Sequence, residues 1–396
     1  APPSGATSPS DTFGMTPRAE RSDPRTMGGS TVVERAAAYG WARRTVYGDG
    51  GALSAVFRGL AAPLASGWGV VADRRLRRHA SAIHLGVPTI SVGNVTIGGG
   101  GKTSLVRWLI TDGLASATHV AVLSRGYGRS ANDITVITPA ARSVDVAAVG
   151  DEPALLARAG AWVGVGSDRS AAARAVLAVT DVDLFLLDDG LQHRKVARQL
   201  DLIAFTARDL LAPAKCFPSG PLRQRSSWRP PRGAWVVSGV DPRSRTWPPG
   251  SIGRALTSWW DQVPGTVVRW QDAGTVDLDG WLRGSEASFD VDDRGVIVIA
   301  GVADPVSVAR FAEQVGWSPI QVVAFPDHYR FSRGEITALL AKHPKVPFVM
   351  TEKDAIKCQA DWFNDRPVGV LRRRLQPSDP ELLTALVTDV LVSSPR

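Results

Sequence analysis

The sequence predicts an α/β protein built on a mostly parallel sheet, and three observations carry that reading. A glycine run, Gly98 to Gly101, stands between an apolar run and a helix-like segment. Apolar runs then alternate with helical stretches through the middle of the chain, the pattern of strands joined by helical crossovers. Two adjacent carboxylates, Asp188 and Asp189, close one of those apolar runs, where an open parallel sheet presents its ligand-binding edge.

The elements follow in order. Val87 to Val92 reads as the first strand, and Ser104 to Leu114 as the helix after the glycine run. His119 to Leu123 reads as a buried strand that leads into Ser124-Arg-Gly-Tyr-Gly-Arg129. Arg169 to Ala178 reads as a helix, Asp183 to Leu187 as a further strand, and Leu200 to Phe205 as the next. A last helix-like run, Pro380 to Val392, is expected to pack back on the first domain. No internal repeat is visible.

A chain of 396 residues is long enough for two or three domains with sizeable cores. Its 44% hydrophobic and 21% charged residues are ordinary for a globular protein. A net charge of +8 and a pI near 9.9 point to an acidic partner: anionic lipid, a phosphorylated substrate or nucleic acid. Nucleic acid ranks last, because neither an aromatic-and-basic RNA signature nor a zinc spacing is present. Cys216 and Cys358 form no CxxC and read as reduced thiols in a reducing compartment.

Residues 1–30 are rich in Pro, Ser, Gly, Thr and charge, and they lack the apolar stretch of a cleavable signal peptide. They read as a disordered extension. From Ala52 to Ala72 the chain turns mostly apolar, interrupted by Arg58, Pro63 and several glycines. It ends in Asp73-Arg-Arg-Leu-Arg-Arg78, with Arg43 and Arg44 upstream. A mid-segment arginine and proline make spanning a bilayer costly. A pair of interfacial helices, held by apolar burial and by basic attraction to anionic headgroups, fits better.

Chemistry starts at the glycine run. Bare backbone N–H groups of such a loop wrap phosphates, Lys102 reaches the β/γ oxygens, and the Thr103 hydroxyl can hold Mg²⁺. The P-loop pattern places glycine five residues before Gly101, where this chain has Thr96; Gly98, Gly99 and Gly100 supply the backbone freedom instead. An acid at the end of a neighbouring strand holds Mg²⁺ in P-loop enzymes, which gives Asp188 and Asp189 a role beyond a strand-ending turn. Asp151 and Glu152 precede a helix-like run, Ala154 to Ala159, where acids also serve as ordinary helix-start residues. Gln192 and His193 follow the aspartate pair, and His328 lies among turn residues late in the chain. A lone histidine is more often structural than catalytic. Spacing alone leads to a Mg²⁺·nucleotide enzyme with several candidate acids and no named acceptor.

Eight blocks in order carry a resemblance: Ser91-Val-Gly-Asn94, Gly99-Gly-Gly-Lys-Thr103, Ser124-Arg-Gly-Tyr127, Gly150-Asp-Glu-Pro153, Asp188-Asp-Gly-Leu-Gln-His193, Gly220-Pro-Leu-Arg223, Phe325-Pro-Asp-His328 and Thr351-Glu-Lys-Asp354. Together they resemble the tetraacyldisaccharide 4′-kinase family of lipid A biosynthesis, from about Ala52 to Cys358. The resemblance implies ATP and Mg²⁺ as cofactors and an acylated glucosamine disaccharide 1-phosphate as acceptor. It also implies peripheral attachment to an anionic membrane, at the cytoplasmic face of the bacterial inner membrane.

By the same resemblance, Lys102 and the loop from Gly98 to Ser104 would bind the triphosphate, with Thr103, Asp188 and Asp189 at the metal. Asp151 would take the hydroxyl proton with help from His328, across domains that closure would bring together. Gln192, His193 and Arg223 would contribute near the phosphates, and Asn94, Arg125 and Tyr127 would meet the acceptor. Gln224 stands where the family often has glutamate, residues 226–262 match the family poorly, and residues 1–30 have no counterpart.

The expected organisation is a disordered extension (1–30), a helical membrane-docking arm (31–85), a P-loop NTPase-like kinase domain (86–200), a second, smaller α/β domain (201–375) and a C-terminal helix and tail (376–396). Two other classes compete. A P-loop GTPase or metallochaperone-like switch would need an Asn/Thr-Lys-x-Asp element, which Thr351-Glu-Lys-Asp354 mimics with its lysine displaced. A non-catalytic, membrane-bound nucleotide-binding protein would keep the loop and lose turnover.

Overall fold

The computed structural model describes residues 44–77, 82–98, 100–114, 119–141, 144–239, 263–291 and 295–393. The expectations for residues 1–30, Arg43, Arg78 and Gly99 fall outside the described residues.

Among the described residues, twelve strands form one sheet: β1 (Thr89–Gly93), β2 (Val120–Ser124), β3 (Thr135–Ile137), β4 (Trp162–Val165), β5 (Leu184–Asp188), β6 (Leu200–Thr206), β7 (Gly233–Ser238), β8 (Gly265–Asp277), β9 (Gly295–Ala300), β10 (Ser318–Ala324), β11 (Phe348–Thr351) and β12 (Val368–Pro377). Their spatial order is β10-β9-β11-β12-β8-β7-β6-β1-β5-β2-β4-β3. Every pairing is parallel except β3 with β4 and β8 with β12. Central strands such as β1, β2 and β5 are buried along their whole length, as parallel strands covered by helices on both faces must be. Their sequences are accordingly mostly apolar, with small polar residues such as Thr89 and Ser91 of β1 buried among them.

Strand β8 ties the sheet together. Its first residues pair with β7, from Trp235↔Gly265 to Val237↔Val267, and the rest of its 13 residues run antiparallel to β12. The helix expected after the glycine loop is an α-helix over Lys102–Trp108 that continues as a π-helical turn, Leu109–Gly113. The C-terminal helix, Pro380–Ser393, packs where the sequence reading expects it. Leu383, Val387 and Val390 join one core with Ile90, Leu105 and Leu109.

β1 lies between β5 and β6, while the chain leaves it for β2 on one side and later crosses back to β6 on the other. Such a reversal opens a crevice at the strand ends, the usual ligand site of an open α/β sheet. Register sets its walls: Val92 of β1 is level with Asp188 of β5, so the aspartate emerges beside the start of the glycine loop.

Two helices, Gly51–Leu60 and Ala62–Arg77, stand outside the sheet. They meet at a 58° bend, and no single helix among the described residues is long and apolar enough to cross a membrane. Leu53, Val56, Phe57 and Leu60 share one helical face by their spacing, and all are exposed, Leu53 at 82% and Leu60 at 79%. Leu64, Trp68 and Val71 extend the apolar surface along the second helix. Polar contacts hold the pair to the body: Ser219 Oγ donates to the Arg58 carbonyl at 2.8 Å, and Trp68 Nε1 to the Arg223 carbonyl at 3.0 Å.

Candidate active site

The glycine loop is built by what surrounds it. Gly101 has φ +77°, a left-handed conformation that side chains rarely adopt, and it starts the helix that carries Lys102 and Thr103. At Gly100 a Cβ would fall 2.4 Å from Asn94 Nδ2 and 3.0 Å from the Ala204 carbonyl, so the loop lies too close to β6 for any side chain. Asn94 is fully buried, and its Oδ1 accepts from both the N–H and the hydroxyl of Thr96 at 2.7 Å. Thr96, which breaks the expected P-loop spacing, is therefore a fixed strut. Asn94, read from the family blocks as an acceptor contact, has its side chain inside the loop in this structure, with no exposed surface to offer a sugar.

Asp189 gathers the cations. Its Oδ1 lies 3.2 Å from Lys102 Nζ, and its Oδ2 lies 3.5 Å from Arg223 Nη1. Arg223 also donates to Gln192 Oε1 at 3.1 Å, and Gln192 Nε2 donates to the Asn94 carbonyl at 2.9 Å. Burial opposes the Asp189 charge, but Lys102 and Arg223 outweigh it and hold the carboxyl below the usual range. Asp188 is different. Buried in the strand end, it accepts from Ser124 Oγ at 3.3 Å through Oδ2, while its Oδ1 is buried with no hydrogen-bond partner. Burial, together with the charges of Glu152 and Asp189, pushes its pKa up. An orphan anionic oxygen of this kind suits a hard cation. Among the described residues no group of three or more His, Cys, Asp or Glu side chains could hold a metal by itself. One or two carboxylates completed by substrate phosphates is the arrangement Mg²⁺ accepts.

The structure brings Asp151 and His328 together. Asp151, the first residue of the helix Asp151–Arg158, is buried, and His328 Nδ1 lies 3.0 Å from each of its carboxylate oxygens. Burial alone would raise the Asp151 pKa; the His328 hydrogen bond and the Lys353 charge lower it overall. His328 adopts φ +61° and Asp189 φ +50°, backbone positions that non-glycine residues seldom hold and that cluster at functional sites.

Tyr127, 68% exposed, lays its ring 5.2 Å from the His328 ring. Arg125 is exposed nearby in sequence. His193 is half-buried; burial, with Arg169 and Arg198 close by, brings its pKa down to about 4, so its ring is neutral. Thr103 and Ser104 are partly buried in the first turn after the loop.

Several contributors carry no role in the sequence reading. Lys353 Nζ reaches Glu152 Oε1 at 3.4 Å, Asp327 Oδ1 at 3.1 Å and His328 Nε2 at 3.2 Å. Arg107 grips Glu352 through two hydrogen bonds of 2.6 and 3.0 Å. Arg169 is buried at a helix N-terminus and donates to the Gly166 carbonyl at 2.9 Å. Its signal was available: a cation at a helix N-terminus opposes the dipole and calls for nearby anions, here Asp188 and Asp189. The Lys353 and Arg107 partners are remote in sequence and left no such trace.

A sequence profile of the family described as tetraacyldisaccharide-1-P 4′-kinase matches residues 57–391. The chain belongs to this family. The tetraacyldisaccharide 4′-kinase of Pseudomonas fluorescens SBW25 is 36% identical over 282 residues, spanning 70% of this chain and 76% of that one. The corresponding kinase of Pseudomonas aeruginosa LESB58 is 34% identical over 282 residues, with 70% and 77% covered. The crystal structure of LpxK from Aquifex aeolicus in complex with ATP superposes with a TM-score of 0.66 at 25% identity, over 85% of this chain and 99% of that one. All eight sequence blocks fall within the stretch matched to the tetraacyldisaccharide 4′-kinase family. The resemblance and the α/β class with its mostly parallel sheet both hold, and the GTPase-like switch is not favoured.

Proposed function

We propose that this member of the tetraacyldisaccharide 4′-kinase family transfers the γ-phosphate of ATP to the 4′-hydroxyl of a tetraacylated glucosamine disaccharide 1-phosphate. The observation that carries the mechanism is the contact of half-buried His328, through Nδ1, with both oxygens of the buried Asp151 carboxylate. Loop N–H groups and Lys102 bind the triphosphate, with Arg223 beside them. Asp188, Asp189 and Thr103 would hold Mg²⁺, which when bound neutralises charge on the phosphates. The 4′-hydroxyl oxygen attacks the γ-phosphorus, the bridging bond to the β-phosphate breaks, and ADP leaves. Asp151 accepts the hydroxyl proton, and His328 orients the carboxylate. A carboxylate with a lowered pKa is a weak base, which suits a loose transition state in which little proton transfer is needed early. Gln192 braces Arg223, and Arg125 and Tyr127 line the approach of the sugar.

The exposed apolar face of the two N-terminal helices, with Arg74 and Arg75 exposed at its end, docks the protein on an anionic membrane as a peripheral layer. The acceptor's acyl chains stay in that layer while its sugars reach the crevice. On this reading the reaction runs at the cytoplasmic face of the bacterial inner membrane, where ATP is available.

The deciding experiment follows label from γ-labelled ATP into a tetraacyl disaccharide 1-phosphate in detergent micelles. The wild-type chain is expected to label the lipid, while Asp151→Ala binds ATP and labels none. ATP binding without lipid labelling by the wild type would leave a nucleotide site with another acceptor.

A further inference from the structure

Thr351-Glu-Lys-Asp354 stands out in the sequence without a role in the phosphate site. In the fold it is a four-residue helix, Glu352–Ala355, that starts at the end of β11 and faces the first half of the sheet. Its residues divide the work. Asp354, fully buried, caps the turn through Thr351 and accepts from the Gly301 N–H at 3.1 Å. Glu352 holds Arg107 on the helix that follows the glycine loop. Lys353 is thereby aimed at the imidazole of His328.

The contact between Lys353 Nζ and His328 Nε2 has only one chemically sound form. An ammonium carries donors and no acceptor, so at 3.2 Å the ring nitrogen must offer a lone pair. The ring proton then sits on Nδ1, the atom that faces both oxygens of Asp151 at 3.0 Å. We infer that Lys353 is a positioning residue for the transfer reaction: it fixes His328 as the neutral Nδ1–H tautomer, which in turn keeps the Asp151 carboxylate free of a second proton and oriented. The inference rests on the proposed role of Asp151 as proton acceptor.

The surroundings agree. Around the imidazole stand Asp151, Asp327 and Lys353, with Glu152 and Lys357 one contact further out and the Tyr127 ring on its face. Lys357 is engaged by Asp354 at 2.8 Å, which leaves Lys353 as the cation in contact with the ring among the described residues. Burial disfavours the imidazolium most and Lys353 opposes it too, but the Asp151 hydrogen bond and the charges of Asp151 and Asp327 together outweigh them. Asp151 and Asp327 thus pull a proton onto His328, and Lys353 limits that pull. Glu152 and Asp327 in turn keep Lys353 charged. The same ammonium bridges Glu152 on the first half of the sheet and Asp327 on the second, so the tautomer is set only when both halves are in place.

The test uses the full chain in micelles with Lys353→Met, Lys353→Arg and Asp151→Asn, reading kcat against pH, KM for ATP, and the His328 tautomer by ¹⁵N NMR assigned with His328→Gln. In the wild type above the acid limb, Nδ1 is expected to carry the proton. Lys353→Met is expected to move the acid limb of kcat up by about one pH unit or more, because the opposing charge is gone. Its rate deficit, about tenfold or more near neutral pH, shrinks as pH rises, while KM for ATP stays within about twofold. Lys353→Arg keeps the charge and holds the limb near its wild-type position. A wild-type ring protonated on Nε2 overturns the inference without reference to any variant. So does a Lys353→Met deficit that is uniform in pH, the mark of a purely structural role. If Asp151→Asn keeps the wild-type rate, the base assignment itself fails; if Asp151→Asn is inactive and the Lys353→Met limb stays put, only this inference does.

Discussion

His328 presents Nδ1 to both carboxylate oxygens of Asp151 at 3.0 Å, across a sequence separation of 177 residues. The pairing joins the start of a helix in one half of the sheet to a turn in the other, and it predicts unequal losses. Asp151→Ala removes the proposed proton acceptor and is expected to lower kcat by about 10²–10⁴. His328→Ala leaves the carboxylate and is expected to cost less. ATP affinity should survive in both, and a parallel loss of nucleotide binding would point to misfolding instead.

The same pair makes stability depend on pH. The His328 proton affinity is raised in the folded state, so its charged contact with Asp151 contributes fully below the ordinary histidine pKa of about 6.5 and is lost as pH rises through the folded value. The Asp151 pKa is lowered, so its contribution is present above the usual carboxylate range and fades as pH falls through the folded value. The gap in Tm between wild type and His328→Gln should therefore narrow from pH 6 to pH 9. A gap that widened over that range would contradict the pairing.

Lys102 anchors Asp189 at 3.2 Å as well as facing the crevice. Lys102→Ala should lower kcat/KM for ATP by about 10²–10³, as expected for a preorganised cation at transferring phosphates. Asp189→Asn should also free Arg223, so its effect combined with Arg223→Ala should be smaller than the sum of the two. Double-mutant kinetics measure that coupling.

Asp188 carries an electrostatic cost that the proposed Mg²⁺ would offset. Its Oδ1 is buried without a partner, and its pKa is raised, so the ionised form destabilises the protein once pH exceeds the usual carboxylate range. Asp188→Asn keeps the shape and removes the charge. In chelator, the variant is expected to melt about 2 °C or more above wild type, yet to lose Mg²⁺-dependent ATP binding. Calorimetry with and without Mg²⁺·ATP separates the two effects.

The N-terminal face can be tested without touching the crevice. Leu53→Glu with Leu60→Glu places two charges on an exposed face and should abolish flotation with anionic vesicles, while ATP binding in solution stays intact. Retained flotation would move the docking surface elsewhere.

Local chemistry determined much of this. The strands β1, β2, β5 and β6 were legible as mostly apolar runs, because a strand buried on both faces has few polar positions to blur it. The glycine loop, the aspartates after β5 and the apolar N-terminal helices were legible because each needs its residue types next to one another in sequence. What the order of residues alone could not reveal was proximity. Thr96 looked like a defect in a P-loop and proves to be a strut bonded to Asn94. Arg107 and Lys353 meet acids 245 and 201 residues away. The sheet order and β8, which pairs with both halves, bring those groups together. Charges, hydrogen bonds and tautomers depend on distance in space, and only the folded chain sets that distance.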